Sequence, residues 1–280
     1  MKSLHLFAGI GGGIIGDILA GNEIVGAVEI DPFCQDVLRA RQADGSRPPF
    51  PILGDIRDVK GDEFGTIELV CGGFPCQDIS LAALNERKGL RGGKSGLFYE
   101  LVRVVDVCAP ACVFLENVPN IVRNGLAEVL QTFAERGFDA EWTIISARDC
   151  GAPHTRRRWW GLFYRKSRLS DSLRAGRRPR RDVEDEAKKK GVQSGFLRAL
   201  LSESANGSRE YNDQRDYRET QAGFSVSSNN WLCEPDVCRV VNGVPQKLDK
   251  ARLRALGNAQ VPICAYLAFE VLLARALEEF

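Results

Sequence analysis

The chain has 280 residues, of which 44% are apolar and 27% are charged, and its formal net charge is +1. These values are typical of a soluble globular protein with one large domain, or with a large domain that carries a smaller one. The glycine-broken apolar stretch at the N-terminus is too short for a signal peptide, and no run approaches 18 consecutive apolar residues. The composition therefore predicts a cytoplasmic protein without a membrane span.

Nine cysteines are distributed over the chain, most of them in apolar runs, where a reduced thiol behaves as a small hydrophobic side chain. Their odd number argues against a framework of structural disulfides. The pairs Cys108/Cys112 and Cys233/Cys238 have no matching second Cys or His pair at zinc spacing. We therefore expect no metal site.

The first 164 residues alternate short apolar runs with segments of helical period. Asp31 and Pro32 are typical of an N-cap followed by the first helical residue. This alternation predicts an α/β fold with a doubly wound, mostly parallel sheet, which binds ligands at the carboxyl ends of its strands. Strands are predicted near residues 3–7, 23–29, 67–71, 111–115 and 141–147, and helices near 14–20, 32–41, 97–108 and 121–136.

The pattern changes after Tyr164. Residues 165 to about 230 are rich in Arg, Ser, Gly, Asn and Asp, and the stretch 165–190 has 11 Lys or Arg against five Asp or Glu. Such a stretch is typical either of a solvated surface segment or of an arm that contacts phosphates. Apolar periodicity returns from Leu248, and Val261–Leu277 is predicted to form an amphipathic helix that docks on the first domain.

Three features near the N-terminus predict an adenosine-binding site. Glycines 9, 11, 12 and 13 follow the first strand, so that a ligand can approach bare backbone N–H groups. The second strand ends at Glu29, from where a carboxylate can hold two ribose hydroxyls. The third strand region leads to Asp55 and Ile56, which suit an adenine amino group and ring.

Residues 72–80, GGFPCQDIS, place Cys76 in a Gly-rich turn after the fourth strand. The thiolate is the reactive form of cysteine, and an accessible polar turn suits it, whereas Cys71 lies inside the apolar strand. An ordinary buried loop cysteine is the alternative.

Charged residues follow the next two strands. Glu116 ends the strand 111–115, where partial desolvation is expected to raise its pKa and suit it as an acid that stays protonated near neutral pH. The alternative is a helix-start acid before Pro119. If residues 156–158 extend into a strand, Arg156 and Arg158 share one face, which suits a phosphate or a base carbonyl.

Taken in order, these segments resemble the motifs of the cytosine-specific DNA methyltransferases, which form 5-methylcytosine with S-adenosylmethionine. The resemblance covers residues 3–164 and 250–265, and eight motifs in family order make it specific. The matching segments are FAGIGG, VEID, GDI, GGFPCQDIS, LRGGKSGLFYE, FLENV, HTRRR and ALGNAQVP.

The resemblance implies a Rossmann-like catalytic domain in residues 1–164, a small irregular target-recognition domain in 165–249, and a C-terminal helix in 250–280 that returns to the catalytic domain. It favours a DNA-reading role for the basic stretch. Residues 77–95 resemble a mobile loop that closes over DNA, with Lys88, Arg91 and Lys94 as its basic residues.

The resemblance also implies the roles of the catalytic residues. Cys76 would add to carbon 6 of a cytosine flipped out of the duplex, and Glu116 would be the acid at ring nitrogen 3. Arg158, with Arg156 nearby, would hold the base and its phosphate. Asn117 would anchor the loop that carries the acid.

S-adenosylmethionine is the implied cofactor. Phe7 would stack on its adenine, Glu29 would bind the ribose, and Asp55 and Ile56 would bind the adenine. The other residues implied for this pocket are Ala8, Gly9, Gly11, Pro75, Leu97, Asn258 and Ala259.

The implied partner is double-stranded DNA, bound by a monomer in a bacterial or phage setting. Restriction-modification, with a cognate restriction endonuclease, or phage self-protection is the implied role. A tRNA cytosine-5 methyltransferase of the same family stays open as the alternative, because such relatives keep the same Cys and Glu. A nicotinamide-dependent dehydrogenase and a non-catalytic DNA-binding relative fit the motifs less well.

Three positions depart from the family pattern. His154 stands where the family usually has Gln, and a turn-capping role is the simple alternative for it. The segment RWWGLFY carries two Trp, which are predicted to pack in the core. The ninth motif is blurred in DKARLRALGN, so the boundary of the recognition domain is approximate.

Overall fold

A computed structural model describes residues 1–75, 96–152, 154–174 and 246–278. At its centre is a seven-stranded sheet with the order β3-β2-β1-β4-β5-β7-β6. The strands are β1 (Lys2–Leu6), β2 (Glu23–Val28), β3 (Ile52–Leu53), β4 (Leu69–Gly72), β5 (Cys112–Asn117), β6 (Asp139–Ser146) and β7 (Arg157–Tyr164). The helices are α1 (Gly12–Leu19), α2 (Pro32–Ala43), α3 (Leu97–Cys108), α4 (Ile121–Asn124), α5 (Leu126–Ala134), α6 (Lys166–Arg174), α7 (Gln246–Asn258) and α8 (Pro262–Glu278).

Strands β1 to β5 pair in parallel, and β7 runs antiparallel to both β5 and β6. From β1 the chain continues outward to β2 and β3, and it then returns to place β4 on the other side of β1. The order reverses at this switch point, so the carboxyl ends of β1 and β4 border a crevice. The predicted doubly wound, mostly parallel sheet is confirmed.

Local sequence signals explain several boundaries. The carboxylate of Asp31 accepts a hydrogen bond of 2.9 Å from the Phe33 N–H, and Pro32 occupies the first turn of α2, as predicted. The predicted single helix over 121–136 is wrong, because Gly125 has a non-helical backbone (φ −163°) and separates α4 from α5. Glycine has a low helix propensity, so a break there costs little.

Helix α8 lies within the core. It packs against α1, β6 and β7. Gly16 allows the close approach to α1, because a Cβ at this position would lie 2.7 Å from the Ala265 Cβ. Every residue from Cys264 to Leu273 is buried, so α8 is apolar on nearly all sides and not amphipathic as expected.

The apolar character of the C-terminal helical stretch has a structural explanation. The helical stretch Lys250–Leu277 is long and apolar enough to cross a membrane by length and composition, but 67% of its most apolar window is buried inside the protein. A buried core helix of a globular protein meets the same criteria of length and composition. Its burial against the sheet therefore accounts for its hydrophobicity.

The two tryptophans of RWWGLFY pack in the core, as predicted. Trp159 and Trp160 are 0% and 1% exposed. Because neighbouring strand residues face opposite sides of a sheet, they enter different hydrophobic clusters. The Trp160 ring stacks on Phe114 with centroids 5.4 Å apart.

Most of the predicted recognition region lies outside the described residues. Helix α6 (Lys166–Arg174) leads into residues 175–245, and α7 (Gln246–Asn258) follows them. The proposed domain boundaries therefore stay predictions.

Candidate active site

A cleft of about 600 Å³ opens at the carboxyl edge of the parallel strands. Ala8 and Ala259 line a smaller adjoining cavity of about 50 Å³. Cys76 and the predicted mobile loop 77–95 lie outside the described residues. The predicted site residues that line the cleft itself are Phe7, Gly9, Glu29, Asp55, Ile56, Pro75, Leu97, Glu116, Arg156, Arg158 and Asn258.

The turn between β1 and α1 forms one wall of the cleft. Phe7 has a left-handed backbone (φ 53°), which is uncommon for a residue with a side chain, and such backbone conformations cluster at functional sites. Gly11 (φ 82°) caps α1 but lines neither cavity. A Cβ there would lie 2.2 Å from Nη1 of Arg47, so this glycine makes room for Arg47 behind the turn.

Glu29 is fixed at the base of the cleft. Its side chain accepts hydrogen bonds from the Gly9 N–H at 2.6 Å and from the Asp31 N–H at 2.8 Å, one on each carboxylate oxygen. The residue is only 8% exposed. Each oxygen keeps acceptor capacity for a further donor, such as one of two adjacent hydroxyls.

Asp55 begins a short 3₁₀ helix, Ile56–Asp58, and already has a charged partner. Arg57 donates from Nε to Oδ1 at 3.0 Å and from Nη2 to Oδ2 at 2.6 Å. The hydrogen bonds from Arg57 hold the pKa of Asp55 below its ordinary value. A ligand amino group must therefore use the remaining lone pairs of this carboxylate or displace Arg57.

Glu116 lies at the end of β5, with a side chain that is 12% exposed. Nε of Arg158 lies 2.7 Å from Oε1 of Glu116, and the Gln260 side chain is also hydrogen-bonded to this carboxyl group. Burial raises the pKa of Glu116, although Arg158, Arg156 and Gln260 each act to lower it. The raised pKa expected from the sequence is confirmed, because desolvation outweighs the nearby charges.

Arg156 and Arg158 both reach the cleft, although β7 begins only at Arg157. Nε of Arg156 is buried and has no hydrogen-bond partner within the described part of the chain. Burial and the charge of Arg158 lower the pKa of Arg156. A buried donor of this kind is suited to an incoming acceptor. His154 is exposed and lines neither cavity.

Asn117 is buried beside Glu116 and connects two parts of the site. Its Nδ2 donates to the Phe74 carbonyl oxygen at 3.2 Å, and its Oδ1 accepts from the Val118 N–H at 2.8 Å. The first hydrogen bond holds the loop that leads to Cys76. The second is a local contact next to Glu116. The expected role of Asn117 beside the acid stays a prediction, which the Val118 contact supports, and the contact with the loop that leads to Cys76 is additional to it.

The sequence interpretation did not single out Arg57 and Arg254, which line the cleft, or Gln260, which lines the smaller cavity. Arg57 is adjacent to the GDI motif, and Gln260 lies within ALGNAQVP, so proximity to the motifs was the available signal. Arg254 of α7 forms an ion pair with Asp31, which is far away in sequence. No local pattern indicates that contact.

Comparison with known proteins identifies the family. A family model described as C-5 cytosine-specific DNA methylase matches residues 1–246 of the chain. The chain belongs to this family. The seven-stranded α/β architecture and the motifs in FAGIGG, GGFPCQDIS and FLENV agree with that membership.

Curated members of the family show how far the similarity extends. Type II methyltransferase M.CviJI of Paramecium bursaria Chlorella virus IL3A is 34% identical over 168 residues, which cover 59% of this chain and 43% of that protein. M.Sau3AI of Staphylococcus aureus is 32% identical over 181 residues (59% and 44%). M.MspI of Moraxella sp is 30% identical over 164 residues (57% and 37%). The match spans less than half the length of each relative.

Proposed function

We propose that this chain transfers a methyl group from S-adenosylmethionine to carbon 5 of a cytosine that is flipped out of double-stranded DNA. The observation that carries the proposal is the environment of Glu116, a buried carboxyl group with a raised pKa beside Arg158. It lies in the same cleft as the fixed carboxylate of Glu29. The proposed acid and the proposed ribose-binding carboxylate thus line one crevice.

The acceptor, aromatic and apolar groups of the cleft fit S-adenosylmethionine. The carboxylate of Glu29, which the Gly9 and Asp31 N–H groups orient, would accept hydrogen bonds from the two ribose hydroxyls. Phe7 supplies an aromatic face for the adenine, and Asp55 and Ile56 supply an acceptor and an apolar contact. Bound there, the cofactor would supply an electrophilic methyl group on its sulfonium.

Cys76 would activate the cytosine, because carbon 5 of the free base is a poor nucleophile. Its thiolate would add to carbon 6 while Glu116 gives a proton to ring nitrogen 3, so that electron density moves to carbon 5. Once carbon 5 carries the methyl group, loss of its proton to a base would break the carbon–sulfur bond and release the thiolate, and the proton on ring nitrogen 3 would return to Glu116. The hydrogen bond from Asn117 to Phe74, two residues before Cys76, supports this placement of the thiol.

The two arginines would hold the base and a phosphate. Arg158 keeps the Glu116 carboxyl group in place, and its guanidinium retains donors for the carbonyl oxygen of the base. The Nε of Arg156, which has no hydrogen-bond partner among the residues that the structure describes, would meet a second acceptor. Flipping is required because carbon 6 of a stacked cytosine is not accessible to a thiol.

We extend the proposal to the setting of the protein. Residues 165–249 would read the DNA, with the basic stretch 165–190 contacting phosphates. The curated relatives are named type II methyltransferases, which supports a role in restriction-modification beside a cognate endonuclease. We propose a monomer that acts on DNA in the cytoplasm of a bacterium or of a cell infected by a phage.

The proposal is tested by incubating the purified chain with tritium-labelled S-adenosylmethionine and either duplex DNA or tRNA. Label in DNA, with bisulfite sequencing placing it on cytosine, is the expected result. Label in tRNA alone would reject the DNA assignment. Cys76→Ala is the matched variant, and methylation retained by it would refute the covalent mechanism.

A further inference from the structure

Gln260 follows α7 and reaches two parts of the candidate site. Its main-chain oxygen lies 2.0 Å from the position that a Cβ would take at Gly12. Its side-chain Oε1 lies 2.2 Å from the corresponding position at Gly13. Both glycines belong to the first turn of α1, so a larger residue at Gly12 would collide with the main chain of Gln260, and one at Gly13 would displace its side chain.

The other end of the same side chain meets the acid. The Gln260 side chain is hydrogen-bonded to the Glu116 carboxyl group. A Cβ at Gly73 would lie 2.8 Å from Oε2 of Glu116 and 3.1 Å from Nε2 of Gln260. Gly73 therefore leaves the space in which the two side chains come together, and all three residues line the cavity of about 50 Å³.

This geometry assigns the direction of the hydrogen bond. With Oε1 against Gly13 and Nε2 toward Gly73, the amide N–H₂ of Gln260 is the group that faces the Glu116 carboxyl group. Arg158 holds Oε1 of the same carboxyl group at 2.7 Å. Two partners from separate parts of the chain thus limit the rotation of Glu116.

An amide at position 260 has a different effect on Glu116 from a carboxylate at the same position. An amide donates without adding a charge, whereas a glutamate at position 260 would place a second carboxylate beside Glu116 and raise the pKa of the acid. The other charged groups that face Glu116 are Arg158 and Arg156, and His5 and Asp17 line the same small cavity.

We propose that Gln260 is a positioning residue for methyl transfer, which orients the carboxyl group of Glu116 and links it to the glycine-rich start of α1. The inference rests on the proposed function, in which Glu116 gives a proton to the base. Gln260 acts through Glu116, and α1 follows the turn that carries Phe7 and Gly9.

The test compares Gln260→Met, which keeps the length of the side chain but cannot donate, with Gln260→Glu and with the control Gln131→Met. Gln131 is on α5 and donates to Glu135, away from the cleft. We expect Gln260→Met to lower kcat about tenfold, the equivalent of one well-placed hydrogen bond, with KM for DNA and for the cofactor nearly unchanged. Gln131→Met should match the wild type.

A pH series distinguishes positioning from a merely structural role. The Gln260 hydrogen bond lowers the pKa of Glu116, so its removal lets the acid stay protonated to higher pH. The alkaline limb of the kcat profile should move upward in Gln260→Met, and further upward in Gln260→Glu. An unchanged kcat and an unchanged profile in both variants would overturn the inference.

Infrared difference spectroscopy gives a readout that does not depend on activity. The band of the protonated Glu116 carboxyl group, identified by its loss in Glu116→Gln, should persist to higher pH in Gln260→Met. A band that titrates as in the wild type would overturn the inference even if activity fell.

If the wild type does not methylate cytosine, the proposed function fails, whereas the spectra still decide whether Gln260 contacts Glu116. Circular dichroism identifies variants that do not fold, and Gln260→Glu supplies the second test in that case.

Discussion

The side-chain amide of Asn117 donates a hydrogen bond to the main-chain carbonyl oxygen of Phe74, across 3.2 Å. Asn117 adjoins Glu116 on β5, and Phe74 stands two residues before Cys76. The strand that carries the acid therefore also holds the loop that leads to the thiol. The pairing of β4 with β5, which sets Gly72 opposite Leu115, and this hydrogen bond together hold the start of that loop beside Glu116.

Asn117→Asp should weaken that coupling without changing the shape of the side chain. A carboxylate cannot donate to the Phe74 carbonyl oxygen, so the loop loses its anchor and gains a repulsive contact. We expect kcat to fall about 10- to 100-fold through misplacement of Cys76. 5-Fluorocytosine has no proton to release at carbon 5, so a duplex that contains it traps the covalent protein–DNA complex. Asn117→Asp should form less of this complex than the wild type. Asn124→Asp, at the exposed end of α4, should behave as the wild type; equal trapping by both variants would contradict the prediction.

Glu116→Gln should lose activity and gain stability. Without the proton donor, kcat should fall about 10²- to 10⁴-fold. Because burial raises the pKa of Glu116 in the folded state, this carboxyl group binds its proton more tightly there than in the unfolded chain. Its contribution to the free energy of unfolding therefore declines as pH rises from its ordinary pKa to its folded pKa.

The variant avoids this decline, since glutamine does not ionise. Thermal unfolding followed by circular dichroism should give a higher Tm for Glu116→Gln than for the wild type at pH 8 and a smaller difference at pH 5. A lower Tm at pH 8 would mean that the ion pair with Arg158 outweighs the cost of burial.

Gly12→Ala should disturb the junction between α1 and Gln260. The added Cβ would lie 2.0 Å from the Gln260 main-chain oxygen, and overpacking of this kind costs about 1–3 kcal/mol. Gly257→Ala is the matched control, because Gly257 is exposed on α7 and no atom of the described residues lies within 4 Å of the added Cβ. It should stabilise the helix by about 0.5–1 kcal/mol. Urea denaturation measures both, and equal effects would contradict the contact.

Arg254→Ala should weaken cofactor binding with little effect on stability. Arg254 pairs with Asp31 at the edge of the cleft, but its side chain is 65% exposed, so the ion pair contributes little to folding. We expect a few-fold rise in the Kd for S-adenosylmethionine, and a smaller rise at high salt, where the pair is screened. Arg252→Ala, an exposed arginine of the same helix, is the control for calorimetric titration, and an equal effect of both substitutions would argue against a local role.

Residues at strand ends were the most predictable part of the site. Glu29 and Glu116 each follow an apolar run, and parallel strands bring such ends to one edge of a sheet. Gln260 and Arg57 could not be predicted in the same way, because their partners are set by packing and by side-chain rotamers. The break at Gly125 was not predicted, since helical periodicity continues across it. The burial of α8 on nearly all sides was not predicted either, because its sequence does not reveal how many neighbours cover it.

The position of α8 sets an order for folding during synthesis. This helix covers the sheet face that holds Phe114 and Trp160, yet it is translated only after residues 175–245. Contacts between that face and α8 therefore form only after residues 175–245 have been synthesised. Helix α8 must pack on the sheet across the intervening residues 175–245. Contacts of such large sequence separation form slowly, so we expect the last step of folding to be slower than the pairing of strands β1 to β5. A premature stop before Pro262 would remove a central piece of the core from an otherwise complete sheet.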